Sequence, residues 1–96
     1  MVSFGLKIQR LRATKGLGLR ALGKRTGMSA SYLSLIERGI MPPPANAKLE
    51  RLGVELGVSR DNIYVMAKRL RPELLDLVGN RPADATKALE AELRKG

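Results

Sequence analysis

The sequence contains no cysteine and no histidine among its 96 residues. Without cysteine, neither a disulfide nor a thiolate metal site can stabilise the fold, and the composition fits a reducing cytoplasm. Without histidine and cysteine, the chain lacks the commonest general base and the most reactive nucleophile. No phosphate-binding glycine motif precedes a Lys-Ser or Lys-Thr pair. We therefore expect no enzymatic activity, no cofactor and no metal site.

Long apolar runs and aromatic side chains are also scarce. No stretch approaches the ~18–20 consecutive apolar residues that a membrane-spanning helix needs. The first twelve residues, MVSFGLKIQRLR, lack the continuous apolar stretch of a signal peptide. One Phe, two Tyr and no Trp are few for a helix that lies on a membrane surface or for a protein that stacks RNA bases. We expect no membrane partner.

Acidic residues are scarce in one half of the chain. Residues 1–48 hold nine basic residues and one acid, Glu37, whereas residues 49–96 hold nine basic residues and eight acids. Most of the net charge of +9 therefore lies in the first half. A basic segment joined to a balanced one indicates a surface that binds a polyanion, although a merely solubilising surface is the alternative.

The apolar residues recur at helical spacing, as Phe4, Ile8 and Leu11 do, and glycine or proline separates the segments. No segment alternates with a period of two, so the sequence predicts an all-α protein. The expected helices span about 4–15, 19–26, 30–38, 45–56, 60–70, 74–78 and 82–94. We expect a turn at Gly79 and Asn80, between the last two helices.

The stretch LRALGKRTGMSASYLSLIERG, residues 19–39, has the features of a helix-turn-helix. Gly23 is small where two steeply crossed helices nearly touch, and Gly27 tolerates the positive φ of a tight turn. The second helix needs apolar residues that pack it against the core, which we call its apolar seat, and a polar outer face. The apolar residues that fit this seat are Leu22, Met28, Leu33 and Ile36. Two packed helices without nucleic acid would be the alternative, which the local basic residues disfavour.

From about Phe4 to Ile63, the sequence resembles the lambda-repressor-like, or Cro/repressor and XRE-type, DNA-binding domain. The similar stretches are KIQRLRATKGL, TGMSASYLSLIERG, the region of Pro43, and LERLGVELGVSRDNIY. The resemblance implies a five-helix bundle that binds operator DNA, usually as a dimer on an inverted repeat. It covers about two-thirds of the chain.

Three features of the resemblance concern single residues. Gly18 stands where the family commonly has a Ser or Thr cap, which removes one usual phosphate-contacting hydroxyl. Gly23 replaces the usual Ala, at a cost of about 1 kcal/mol in helix propensity. The resemblance also implies that Glu37 pairs with Arg12 and links the first helix to the third.

Five side chains are candidates for phosphate contacts. Arg20, Lys24 and Arg38 are expected to clamp phosphates, with a solvated surface charge as the alternative for each. Ser29 contacts a phosphate or acts purely as a helix N-cap. Tyr32 hydrogen-bonds a phosphate or lies on the surface against the second helix.

Four further residues are expected to face the major groove. Ala30 and Ser31 begin the recognition helix, where members of the family read base edges, and alanine offers only a methyl contact. Ser34 and Leu35 follow one turn later and point outward by their spacing. An outward leucine is unusual on a solvated face, which favours a groove contact.

We divide the chain into a helix-turn-helix domain, residues 1–70, and a C-terminal helical extension, residues 71–96. The extension carries two apolar groups and either caps the core or forms a dimer interface. These groups are Leu74, Leu75 and Val78, and the stripe of Ala85, Ala88, Leu89 and Leu93.

The expected function is that of a sequence-specific transcriptional regulator, a repressor that binds double-stranded DNA as a homodimer on an inverted-repeat operator. Its location is then cytoplasmic, at the nucleoid. One alternative is an antitoxin that neutralises a protein toxin and regulates its own operon. A basic RNA-binding protein is another. Any further protein partner is left open.

Overall fold

A computed structural model describes residues 3–80 and Leu93, with side chains defined to Leu77 and at Leu93. Within residues 3–80 the backbone forms six α-helices and no strand, as the sequence predicts. The helices are α1 (Phe4–Thr14), α2 (Leu19–Thr26), α3 (Ala30–Glu37), α4 (Asn46–Leu56), α5 (Arg60–Met66) and α6 (Pro72–Asn80). No helix in this part of the chain is long and apolar enough to cross a membrane.

Helices α1 to α5 enclose one apolar core. The four residues predicted to seat the recognition helix are all buried in it. The core is completed by three leucines of α4 and by Ile63 of α5. The leucines are Leu49, Leu52 and Leu56. Its buried residues are Ile8, Leu22, Met28, Leu33, Ile36, Leu49, Leu52, Leu56, Ile63 and Tyr64.

Serine caps begin three of the helices. The side chains of Ser3, Ser29 and Ser59 each accept a hydrogen bond from the backbone N–H three residues later, at 3.1–3.2 Å. Each bond satisfies a backbone donor that has no partner inside the helix. Gly18, at the start of α2, provides no such bond, which matches its departure from the family pattern.

Helix α5 is shorter than predicted, because it ends at Met66 and not near Leu70. Lys68 adopts a left-handed conformation with φ of 55°, which stops the helix. The guanidinium of Arg69 then donates to the carbonyl oxygens of Pro43, at 2.6 Å, and Pro44. These bonds to a segment about 25 residues away outweigh the local helix propensity.

Helix α6 is longer than the predicted 74–78, and the turn predicted at Gly79 and Asn80 is wrong because both residues are helical. Pro72 occupies the first position of α6, where its missing N–H costs no helical hydrogen bond. A glycine lowers helix propensity by about 1 kcal/mol without preventing a helix. The helix predicted over 82–94 lies outside the described residues except for Leu93, which is helical and exposed.

Candidate nucleic-acid interface

Helix α2 and the turn that leads into α3 come very close at Gly23, where the sequence predicts a close approach. A Cβ atom on this residue would lie 2.4 Å from the carbonyl oxygen of Met28. That distance is far below van der Waals contact, so glycine permits an approach that alanine would force apart. The lower helix propensity of Gly23 is therefore coupled to the geometry of the crossing.

The turn between the two helices is fixed by hydrogen bonds to α2. Gly27 has φ of 73°, as predicted, and its N–H donates to the carbonyl oxygen of Gly23. The N–H of Met28 donates to the same oxygen at 3.0 Å. The buried Thr26 hydroxyl donates to the Leu22 carbonyl at 2.8 Å, a contact that the sequence analysis did not anticipate. The direction in which α3 leaves the turn is thus set by hydrogen bonds to backbone carbonyls of α2.

Helix α3 has a buried side and an outward side. Leu33 and Ile36 are buried against the core. Ser31, Ser34 and Arg38 follow at helical spacing, so they share the opposite side. The outward side therefore has the polar character that a groove-binding helix needs.

The predicted groove and phosphate residues differ in exposure. Ser29, Ser31 and Arg38 are exposed, as are Arg20 and Lys24 on α2. The four residues that are half-buried are Ala30, Tyr32, Ser34 and Leu35. Tyr32 packs against the core cluster.

Two contacts brace α1 against α3. Arg12 Nε and Nη2 donate to the two carboxylate oxygens of Glu37 at 2.8 and 2.9 Å, and Arg12 Nη1 donates to the Leu17 carbonyl at 3.0 Å. The expected pair is therefore present, and its hydrogen bonds to Glu37 raise the pKa of the Arg12 guanidinium. Gly5 is the second contact. A Cβ there would lie 2.3 Å from the carbonyl oxygen of Ile36, a close approach that the sequence analysis missed.

The basic side chains around α2 and α3 fall into two classes. Arg20, Lys24 and Arg38 form no ion pair with any residue in the described part of the chain. Arg25, by contrast, lies 3.7 Å from a carboxylate oxygen of Glu55. The first three cations are therefore available to an external anion, and each of them was predicted as a phosphate clamp.

A family model described as a helix-turn-helix domain matches residues 3–64, which is more than half of the chain. The chain belongs to the XRE-type, lambda-repressor-like helix-turn-helix family. The matched residues include α1 to α4 and most of α5. This confirms the resemblance found in the sequence.

Several members of the helix-turn-helix family are similar to this chain. The uncharacterized HTH-type transcriptional regulator Rv0474 of Mycobacterium tuberculosis is 38% identical over 68 residues, 71% of this chain and 48% of that protein. The HTH-type transcriptional regulator SinR of Bacillus subtilis is 38% identical over 55 residues, 57% of this chain and 50% of SinR. The chain thus spans about half the length of these curated relatives.

Two solved structures share the helix-turn-helix fold. A crystal structure of SinR, the master regulator for biofilm formation, in complex with DNA matches with a TM-score of 0.57 and 35% identity. It covers 62% of this chain and 95% of the SinR chain. A structure of the SinR/SinI protein complex matches with a TM-score of 0.59 and 27% identity, over 96% of this chain and 97% of the other.

Proposed function

We propose that this protein binds double-stranded DNA through α2 and α3 and regulates transcription. The observation that carries the proposal is a set of three exposed cations beside the polar outer side of α3 that form no ion pair within the described residues: Arg20, Lys24 and Arg38. The solved complex of SinR with DNA, 35% identical to this chain, supports it. A DNA target implies a location at the nucleoid, in the cytoplasm.

In this proposal, phosphate contacts position the domain and carry no base identity. Arg20 and Lys24 on α2 and Arg38 at the end of α3 neutralise phosphates. Ser29 uses a lone pair to cap α3, and its hydroxyl hydrogen remains free to donate to a phosphate. The phenolic hydroxyl of Tyr32 donates a hydrogen bond to a DNA phosphate.

The outward side of α3 enters the major groove in this proposal. Ala30 and Ser31 lie at its start, and Ser34 and Leu35 lie one turn later. None of them makes the bidentate contacts by which Arg reads guanine or Asn reads adenine. Sequence discrimination then depends on methyl contacts, single hydroxyl bonds and DNA shape.

The salt dependence of DNA binding tests the electrostatic part of the proposal. If a dimer neutralises about eight phosphates, log K falls with log salt at a slope of about −7. Replacing Lys24 by Gln in both subunits removes two contacts and makes this slope shallower by about 2. Arg25→Gln is the matched control on α2, because Arg25 already has a carboxylate partner. A wild-type slope shallower than about −2 would exclude DNA binding of this kind.

We further propose that the protein acts as a homodimer and a repressor on an inverted repeat, with the extension as the dimer element. Helix α6 leaves Leu75 51% and Leu77 38% exposed. A SinR structure that is 27% identical to this chain is a complex with a second protein, SinI, which supports a protein–protein contact for this chain as well. Two subunits would place their recognition helices about one helical turn of DNA apart, roughly 34–36 Å.

Sedimentation of the full chain tests the dimer proposal. Leu75→Glu should shift the equilibrium toward monomer by at least about tenfold, because a charge would be buried in an apolar contact. Val54→Glu is the control, since Val54 is 77% exposed on α4. An unchanged dimer in Leu75→Glu would place the interface away from α6.

A further inference from the structure

A groove lies at the end of the bundle where the start of α1, the proline segment before α4 and the end of α5 meet. Its volume is about 480 Å³. Phe4, Pro43, Val65 and Met66 provide its apolar lining. Val65 is 65% exposed, although it belongs to a helix whose neighbouring residues Ile63 and Tyr64 are buried. The described residues thus leave an apolar surface of this helix uncovered.

The edge of the groove is basic. Lys7 and Lys68 both contribute to its lining, both are exposed, and no acidic residue lines it. Neither lysine forms an ion pair with a residue that the structure describes. A second copy of this face would bring like charges together, whereas an acidic segment would complement them.

The backbone at Lys68 has a conformation that is unusual for a lysine. Within the described residues, five positions have positive φ, and four of them are glycines. Lys68 is the fifth, at φ of 55° just beyond the end of α5, where glycine is the favoured residue. A lysine in this conformation carries a steric cost that a glycine would avoid. The Arg69 bonds to Pro43 and Pro44 hold this conformation, and residues strained in this way are frequent at ligand-binding sites.

We propose that this groove binds an acidic protein segment that inserts a large apolar side chain. Phe4, Pro43, Val65 and Met66 receive the apolar side chain. Lys7 and Lys68 pair with carboxylates on either side of it. Because the groove is apolar at its centre, it fits a peptide better than it fits a phosphate backbone. This interaction is separate from the proposed DNA contacts of α2 and α3.

The test measures binding of a fluorescently labelled 12-residue peptide to the full chain by fluorescence anisotropy. In this synthetic peptide, two leucines are flanked by glutamates. A second peptide has glutamine in place of every glutamate. We expect saturable binding of the acidic peptide and at least about fivefold weaker binding of the neutral one. Lys7→Gln and Lys68→Gln should each weaken binding about 2–5-fold, the range for a partly exposed ion pair. Val65→Asp should abolish it.

Controls separate the groove from general surface charge and from stability. Lys48→Gln and Val54→Asp change exposed residues of α4 outside the groove and should leave peptide binding unchanged. Lys68→Gly should weaken peptide binding while raising Tm by about 4 °C, because it relieves the left-handed strain. Opposite signs in these two measurements would not be produced by a purely structural lysine.

Four results would overturn the proposal. One is the absence of saturable peptide binding, and another is equal affinity for the acidic and neutral peptides. The third is a shift from dimer to monomer in Val65→Asp, which would make the groove an interface between copies of this chain. The fourth is a shallower salt slope of DNA binding in Lys68→Gln, which would assign the lysine to the phosphate backbone.

Discussion

Two arginine–glutamate pairs, in different regions of the molecule, have the same chemistry and different surroundings. Arg12 and Glu37 join α1 to α3 inside the helix-turn-helix domain through two hydrogen bonds, with 17% and 6% of their side chains exposed. Arg60 and Glu73 join α5 to α6 through two hydrogen bonds, with 42% and 60% exposed. The geometry is similar, so the difference between the pairs lies in solvation.

This difference indicates how the two regions are held. The Arg12–Glu37 pair lies beside close backbone contacts between α1 and α3. A charge left unpaired there would have little water to solvate it. Exposed ion pairs contribute little to the free energy of unfolding, because salt screens them and water can solvate each charge when the pair is broken. Asp61 on α5 and Arg71, which precedes α6, form a further ion pair at 2.7 Å, with 67% and 19% of their side chains exposed. Helices α1 and α3 are thus held together by packing around their ion pair, whereas surface charges contribute to the position of α6.

The tyrosine beneath the exposed pair links this surface to the core. The buried Tyr64 phenol donates to Glu50 at 2.5 Å, and Glu50 also lies 3.2 Å from Arg60. Burial, and then the bond to Glu50, raise the pKa of Tyr64. The same bond is the largest cause that lowers the pKa of Glu50. The base of α6 therefore contacts a network that is anchored in the core at one end.

The largest expected effect is on the part-buried pair of Arg12 and Glu37. Glu37→Ala should lower the free energy of unfolding by about 3 kcal/mol, because it leaves the Arg12 guanidinium without its partner in a mostly buried site. Urea unfolding at two protein concentrations measures this loss. The double variant Arg12→Met, Glu37→Leu is the control and should recover most of the stability, since both charges are removed together. A loss below about 0.5 kcal/mol in Glu37→Ala would place the pair with the exposed ones.

The smallest expected effect is on the exposed pair. Glu73→Ala should change Tm by less than about 2 °C at physiological salt, because solvent already screens the pair. The bonds from Arg60 are the largest cause that lowers the pKa of Glu73. The stabilisation of the folded state by ionised Glu73 is therefore complete above the ordinary pKa of 4.5. It is lost as the pH falls through the lowered pKa of Glu73 in the folded protein. If Glu73→Ala destabilised the protein as much as Glu37→Ala does, the exposed and the part-buried pair would not differ in their contribution to stability.

The sequence predicted those features that depend on local pattern. Helix spacing and glycine positions gave the bounds of α1 to α4 within one or two residues, and the small residue at Gly23 was inferred from the motif itself. Gly5 was missed, although a glycine inside a helical pattern is a signal of close approach. The end of α5 was missed because it depends on Arg69 bonding to the distant proline segment, a non-local contact that helix propensity does not register.

The candidate interface could be predicted only in part for a related reason. Charge and spacing selected Arg20, Lys24 and Arg38, and the structure leaves all three exposed and without an ion-pair partner in its described part. The sequence did not predict the ion pair of Arg25, because its partner Glu55 lies thirty residues further along the chain. Ion pairing across helices requires the three-dimensional arrangement.

Selection of bound sites from a random DNA pool tests the central claim most directly. Wild type should return an inverted repeat with modest discrimination, toward the low end of the ~10³–10⁷ ratio over non-specific DNA, because α3 offers no bidentate base contact. Ala30→Gln adds a side chain that pairs with adenine, and should change the preferred base near the middle of each half-site without abolishing binding. If wild type and Ala30→Gln return the same operator, Ala30 does not face the groove, and α3 is not the recognition helix in the way proposed.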